Sequence, residues 1–336
     1  MSDSIDEGLV YIGKIISLEP IQGAELIVSA TVICGKGGKW RGVVRKSDFV
    51  VGSFCTVFLP DSLLDKDKHS YLPYMEKTKW RVRMCRFKGA PSEVLITKCD
   101  SHTYNDSTEQ LWDIGLDVTS DLEVKKYHKP VPANLQGKAK GEFPGFIPKT
   151  DEPNYQNSIG QEYIQLLDGK PYYITEKADG SSTTAYKYKG KFGLCSRNWE
   201  LERDEKNGYW KVAINHKLEE RLPDGFAIQW ETCGPKIQGN PMGFTDVIGL
   251  AFSAYNINEK RYLNFHEFIY FCTQLRFPMV AILEHKSRFS SENIDKLGEG
   301  TYTNGKQREG VIVRSQDNVL GHKPISFKVI NLNYEK

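Results

Sequence analysis

The sequence predicts an α+β protein of two domains, a small N-terminal β-barrel followed by a larger domain built on antiparallel sheets. Three observations predict it. Residues 9–99 are short apolar runs punctuated by Gly23, Gly35, Gly37, Gly38, Gly52 and Gly89, the pattern of many short strands joined by turns. Beyond about Pro148, helical and strand periodicities interleave without the regular βαβ rhythm of a parallel sheet. Between them, residues 127–147 (YHKPVPANLQGKAKGEFPGFI) are rich in Pro, Gly and Lys and aperiodic, as a linker is. The expected organisation is a first domain at 1–130, a linker at 131–147 and a second domain at 148–336.

In the first domain, strands are expected at Leu9–Ile16, Leu26–Cys34, Trp40–Arg45, Phe54–Leu59, Lys79–Phe87 and Val94–Thr97. Within Lys77–Arg83 the alternation puts Lys77, Lys79, Arg81 and Arg83 on one face and Trp80 and Val82 on the other. A row of cations along a strand suits a groove that tracks a nucleic-acid backbone, as in OB-folds. In the second domain, apolar residues at helical spacing predict helices at Ile159–Leu167, Gly208–Glu220 and Leu263–Leu275. β-Branched and aromatic runs predict strands at Tyr172–Lys177, Thr183–Tyr188, Phe192–Cys195, Phe226–Glu231, Val247–Ile257, Gly310–Arg314 and Ile325–Ile330.

The formal net charge is only +2, so overall charge does not point to a nucleic-acid partner. Its distribution does. Residues 77–88 carry six basic and no acidic residues, residues 36–46 carry five basic and no acidic, and residues 100–123 carry seven acidic and no Lys or Arg. Such segregation fits one face meeting phosphate. The cysteines number seven and include no C-x-x-C pair, which disfavours both a disulfide set and a zinc knuckle. No run is long and apolar enough to span a membrane, and the acidic N-terminus lacks the features of a signal peptide, so a cytoplasmic or nuclear location is expected.

The chemistry concentrates at Thr175-Glu176-Lys177-Ala178-Asp179-Gly180. A lysine ends an apolar strand, with a carboxylate two residues on and a glycine three residues on. A solvated lysine has a pKa near 10.4, so roughly one in a thousand is neutral at neutral pH. A nucleophilic lysine needs its neutral form favoured by neighbouring cations, a metal or desolvation. Asp179 is placed to hold a cation beside it, and Gly180 permits a close backbone approach. Downstream, Arg197 follows a strand and can clamp a phosphate. Glu231 falls opposite Phe226, Ile228 and Trp230 on its strand, pointing away from their core. Tyr255 offers an aromatic face for a base, Glu309 sits at a strand start and Lys328 lies on the last strand.

In chain order, Lys177-Ala178-Asp179-Gly180, Ser196-Arg197, Trp230-Glu231, Phe252-Ser253-Ala254-Tyr255, Glu309-Gly310-Val311-Ile312 and Phe327-Lys328 resemble the six motifs of the covalent lysyl-nucleotidyltransferase superfamily of polynucleotide ligases and mRNA-capping guanylyltransferases. DNA ligases and capping enzymes carry an OB domain after these motifs. Here the sequence ends eight residues past Lys328 (336 − 328), and the β-rich module comes first. That order, with FPGFIPKTDE at 143–152 and Tyr155-Gln156-Asn157, resembles the ATP-dependent RNA ligases with an N-terminal OB domain. Trp230–Gln238 is also similar to phage nick-sealing RNA ligases.

The resemblance implies an OB-type barrel followed by a ligase-type nucleotidyltransferase domain. It implies ATP as substrate, with Mg²⁺ or Mn²⁺, and AMP carried covalently on Lys177. The partner would be RNA with 3′-hydroxyl and 5′-phosphate ends, as a nicked duplex, and the enzyme a monomer. Asp179, Glu231 and Glu309 would hold the metal, largely through water. Glu176, Arg197, Glu231, Tyr255, Glu309, Lys328 and Gln156 would contact the nucleotide, with Tyr255 stacked on adenine. Lys77, Lys79, Arg81 and Arg83 would hold RNA. Two departures accompany this: Asn154 stands where relatives often have arginine, and Ile330 takes the second position of a usual Lys-x-Lys, with Lys323 or Lys336 as substitutes. A DNA ligase, a capping guanylyltransferase and a degenerate ligase that only binds RNA are the alternatives.

Overall fold

The structure is a computed structural model and describes residues 8–99, 113–127 and 139–335. The chain divides into two compact units, Met1–Pro130 with Tyr155–Glu162, and Val131–Asn154 with Tyr163–Lys336. No helix among the described residues is long and apolar enough to cross a membrane.

The first unit contains β1 (Val10–Pro20), β2 (Ile27–Cys34), β3 (Gly38–Arg45), β4 (Phe54–Phe58), β5 (Ser62–Leu63), β6 (Cys85–Phe87), β7 (Ala90–Ser92), β8 (Leu95–Thr97) and β9 (Lys125–Lys126). Five of these form one antiparallel sheet in the order β3-β2-β1-β4-β8. The pairing of β1 with β2 slips between Ile15 and Ser17, a bulge that bends the longest strand. The sheet curls enough for its outer strands to approach. Glu93 N donates to Arg41 O at 2.8 Å, and a Cβ on Gly42 would stand 2.6 Å from Ile96 Cδ1. Alternation along β2 and β3 turns Val28, Ala30, Val32, Trp40 and Val44 inward, and they pack with Ile15, Cys55 and Val57.

Two expectations change in this unit. The strand at 79–87 does not form. Pro73–Thr78 is a 3-10 helix that ends with Lys79 and Trp80 both at positive φ (53° and 61°), and β6 begins only at Cys85. Lys77, Lys79, Arg81 and Arg83 therefore share no strand face. The second change concerns Tyr155–Glu162, which belongs to this unit. Gln156 Nε2 donates to Lys39 O at 2.6 Å and to Glu93 Oε2 at 3.3 Å. Gly38 permits this, because a Cβ there would lie 1.7 Å from Gln156 O.

The second unit opens with β10 (Ala139–Glu142), paired with β14 (Trp199–Leu201), so part of the expected linker is a strand; residues 131–138 lie outside the described residues. It continues through α1 (Ser158–Leu167), which starts in the first unit, then β11 (Tyr172–Glu176), β12 (Ser181–Tyr188) and β13 (Lys191–Ser196). Next come α2 (Gly208–Asn215), α3 (Leu218–Arg221), β15 (Phe226–Cys233), β16 (Ile248–Asn256), β17 (Arg261–Tyr262) and α4 (Phe265–Leu275). β18 (Ile282–Lys286), β19 (Gly310–Ser315) and β20 (Ser326–Ile330) complete it. One sheet has seven strands, β10-β14-β13-β12-β15-β16-β17, and the other four, β18-β11-β19-β20. Every ladder in both is antiparallel.

The expected helix at 208–220 breaks in two because Lys217 turns left-handed (φ 51°). An Asn264–Glu267 capping box starts α4, and Arg276 ends it in the αL conformation. Trp210, Leu218, Phe268, Phe271 and Leu275 of the helices cover Ala185, Leu194, Ile228 and Trp230 of the seven-stranded sheet. The opposite face of that sheet is left for chemistry.

Candidate active site

The segment Lys177–Gly180 is the crossing between the two sheets, since β11 belongs to one and β12 to the other. Lys177 extends the β11 ladder with its N–H on Gly310 O at 3.0 Å. Its Nζ pairs with Glu309 Oε2 at 2.6 Å, and both side chains are about three-quarters buried (24% and 21% exposed). One buried phenol ties the two backbones together: Tyr302 donates its hydroxyl to Lys177 O at 3.0 Å and accepts from Glu309 N at 3.2 Å. Gly310, at φ 149°, is required where β20 closes in, because a Cβ would lie 2.2 Å from Val329 O.

Asp179 is buried at 4% exposure and accepts a hydrogen bond from the Tyr334 hydroxyl. Gly180 lets β12 approach β15, since a Cβ would stand 2.3 Å from Thr232 O and 3.0 Å from Glu231 Cγ. Strand parity points Glu231 away from Trp230 and toward Lys177. Burial pushes the Glu231 carboxyl up to about 8; Lys177 pulls it back, while Glu309 and Asp179 push it further. Three carboxylates thus face one lysine in a poorly solvated crevice. Among the described residues, no three His, Cys, Asp or Glu groups stand close enough to chelate a metal directly. The excess negative charge fits a divalent cation that keeps its waters and is held through them, as Mg²⁺ commonly is.

The other predicted residues divide. Lys328 belongs to the site. Burial lowers its ammonium, Lys177 lowers it further, and Asp151, Glu152 and Glu309 raise it. Its N–H donates to Pro153 O at 2.8 Å, and Asn154 bridges to it as a parallel neighbour. Arg197 is mostly exposed and paired with Asp151 at 3.0 Å. The Glu176 carboxyl is raised by burial and lowered by Arg308, so its charged neighbour is not Lys177. Gln156 is bonded within the first unit, as above. Ile330 pairs with Gly310 across the ladder and offers no charge.

Tyr255 lies on the cleft face of β16 but is sealed beneath Ile147 and Phe143, with its ring edge-on to Tyr262 at 5.1 Å. Phe252, three residues earlier, packs instead against the cluster that includes Ala178. The β15–β16 register jumps from Gln229↔Ser253 to Trp230↔Ala251, leaving Phe252 as the extra residue of a bulge. The bulge turns its ring onto the cluster of Ala178, Cys233 and Tyr302. Sequence reasoning also missed Arg314, which is 3% exposed. It pairs with Glu152 at 2.8 Å, reaches Thr175 Oγ1 at 3.4 Å and lies 5.9 Å from the Phe252 ring centroid. A lone arginine closing the apolar run Gly310–Val313 was the available signal. Ser326, opposite Arg314 and two residues from Lys328, buries a hydroxyl that has no hydrogen-bond partner among the described residues.

A lysine three-quarters buried among carboxylates, at the junction of two antiparallel sheets and tied to the buried Tyr302, defines a nucleotidyltransferase of the covalent-lysine class. The comparisons make this particular. A family model described as RNA ligase matches residues 170–330. An aspartate-to-alanine variant of Naegleria gruberi RNA ligase without ligand is 30% identical, with a TM-score of 0.77, over 98% of this chain and 97% of that one. A lysine-to-alanine variant of that ligase, solved with ATP and Mn, is 30% identical at a TM-score of 0.77, over 96% of this chain and 97% of that one. A glutamate-to-alanine variant with AMP and Mn is 30% identical at a TM-score of 0.76, with the same coverage, 96% and 97%. The search of curated proteins gives no match. The chain belongs to the RNA ligase family.

The Glu231 shift has a consequence for stability. Its folded carboxyl titrates near 8 against an ordinary 4.5, so between those values the folded state holds more protons than the unfolded one. Stability contributed by this group therefore falls as pH rises through that window. Thermal unfolding in metal-free buffer should show Glu231→Gln gaining on the wild type from pH 5 to pH 8, with the gap shrinking when Mn²⁺ is added.

Proposed function

We propose that this chain seals RNA in three steps, and the observation that carries the reading is the Lys177–Glu309 pair beside Asp179 and Glu231. Lys177 Nζ attacks the α-phosphorus of ATP, forming lysyl-AMP and releasing pyrophosphate. AMP then passes to the 5′-phosphate of an RNA end. A 3′-hydroxyl attacks that activated phosphate, closing the backbone and releasing AMP. Relatives solved with ATP and Mn, and with AMP and Mn, support the nucleotide and the metal.

The first step requires the attacking lysine to be neutral, and Lys177 stands against Glu309. A divalent cation held through water by Glu309, Glu231 and Asp179 would supply positive charge at the phosphate and draw the charge of Glu309 away from the lysine. Lys328 and Arg197 are the cations for the phosphates, and Arg197 must leave Asp151 to serve. Phe252, backed by Arg314, is the platform for adenine, in place of the expected Tyr255.

The first unit is read as an OB-type barrel that holds RNA beside the break. The curled five-stranded antiparallel sheet supports this. Lys77, Lys79 and Arg83 are exposed and available to phosphates, whereas Arg81 is engaged by Asp61 at 2.5 Å and by the Tyr127 ring at 4.0 Å. The substrate is read as a nicked duplex and the enzyme as an intracellular monomer.

Three measurements test this reading. α-Labelled ATP with Mn²⁺ should give a covalent adduct that survives denaturing electrophoresis and alkali but not hot acid with the wild type, and none with Lys177→Ala; label on the variant, or label from GTP in preference to ATP, would overturn the assignment. Phe252→Ala should raise the KM for ATP about tenfold or more, the size of one lost base stack, while Tyr255→Phe stays near the wild type. Replacing Lys77, Lys79 and Arg83 with alanine should flatten the logarithmic salt dependence of RNA binding by about two units while leaving adduct formation intact.

A further inference from the structure

We infer that the turn following β20 braces the metal-side carboxylates, with Tyr334 acting as a positioning residue for Asp179; the inference rests on the proposed roles of Asp179 and Glu309. β20 ends at Ile330, and the next residue, Asn331, is 1% exposed. Its N–H donates to Glu309 O at 2.9 Å, and its Nδ2 donates to Arg308 O at 2.9 Å and Gln307 Oε1 at 3.1 Å. The turn then closes on itself, with Asn333 N on Asn331 Oδ1 at 2.9 Å and Tyr334 N on Asn331 O at 3.1 Å. This delivers the Tyr334 ring against the cluster containing Ala178, Cys233 and Tyr302, and its hydroxyl donates to Asp179 Oδ2. One short turn therefore grips the backbone of Glu309 at its start and the carboxylate of Asp179 at its end.

The physical reason for such a brace is the burial of Asp179. A carboxylate removed from water is costly unless donors point at it, and a hydrogen bond to a charged acceptor is among the stronger ones. The phenol holds Asp179 through its Oδ2 atom. Tyr302 does for the Lys177 and Glu309 backbones what Tyr334 does for the Asp179 side chain. The two phenols lie in one cluster, so the lysine and two of its carboxylates are positioned together.

The test is a double-mutant cycle in the full chain. Tyr334→Phe keeps the ring and its packing and removes only the hydroxyl. Mn²⁺ binding, read from the electron paramagnetic resonance of the free ion, should weaken about tenfold, the size of one charge-assisted hydrogen bond, in protein whose circular dichroism shows the native fold. In an Asp179→Asn background, Tyr334→Phe should weaken Mn²⁺ binding no further. Unchanged affinity in the single variant would overturn the brace, and so would a loss of the same size whether or not Asp179 is present. Mn²⁺ binding requires no chemistry, so a wild type that binds the ion yet takes no label from ATP would refute the proposed reaction and leave the role of Tyr334 standing.

Discussion

The contact between Lys177 and Glu309 is the constraint around which the second unit is arranged. A lysine and a carboxylate three-quarters removed from water hold each other in place, and either one alone would be an uncompensated buried charge. The two sheets, the close approach of β20 at Gly310 and the phenol of Tyr302 all converge on that pair.

Glu231 shows the other side of this electrostatic arrangement. Its carboxyl is raised to about 8 by burial and by two like-charged neighbours, a strain that Lys177 offsets only in part. Functional sites commonly carry such perturbed groups. The native fold tolerates this one because the large core of Trp230, Phe268, Phe271 and Leu275 lies on the opposite face of the same sheet. Core and chemistry are separated by strand parity: Trp230 faces the helices and Glu231, its neighbour in sequence, faces the crevice.

Two features show why reading the chain linearly loses accuracy away from its motifs. The alternation at Lys77–Arg83 looks like a strand, yet the backbone turns left-handed at Lys79 and Trp80 and the row is dispersed. Pro73 begins a 3-10 helix there, and packing of Met75 and Val82 into a shared core outweighs local alternation. On β16, Tyr255 and Phe252 are equally plausible base platforms by composition. A one-residue bulge gives them different surroundings: Phe252 packs against the cluster of Ala178, Cys233 and Tyr302, while Ile147 and Phe143 pack with Tyr255. A bulge shifts every side-chain direction beyond it, and nothing in the local residues announces it.

By itself the sequence determined the antiparallel α+β class and seven of the eleven strands described in the second unit, and it pointed to Lys177, Asp179, Glu231, Glu309 and Lys328, which the structure brings near one another. These were legible because each depends on residues near in the chain: the period of a strand, a glycine two or three positions from a charge, a carboxylate at a strand end. The tertiary structure alone decided that Gln156 anchors to the first unit, that Phe252 packs against the cluster of Ala178 and Tyr302, that Arg314 lies near the Phe252 ring, and that Tyr302 and Tyr334 bond to Lys177, Glu309 and Asp179. Each of those contacts joins residues far apart in sequence, and a hydrogen bond or ring contact of that kind exists only after the sheets have packed.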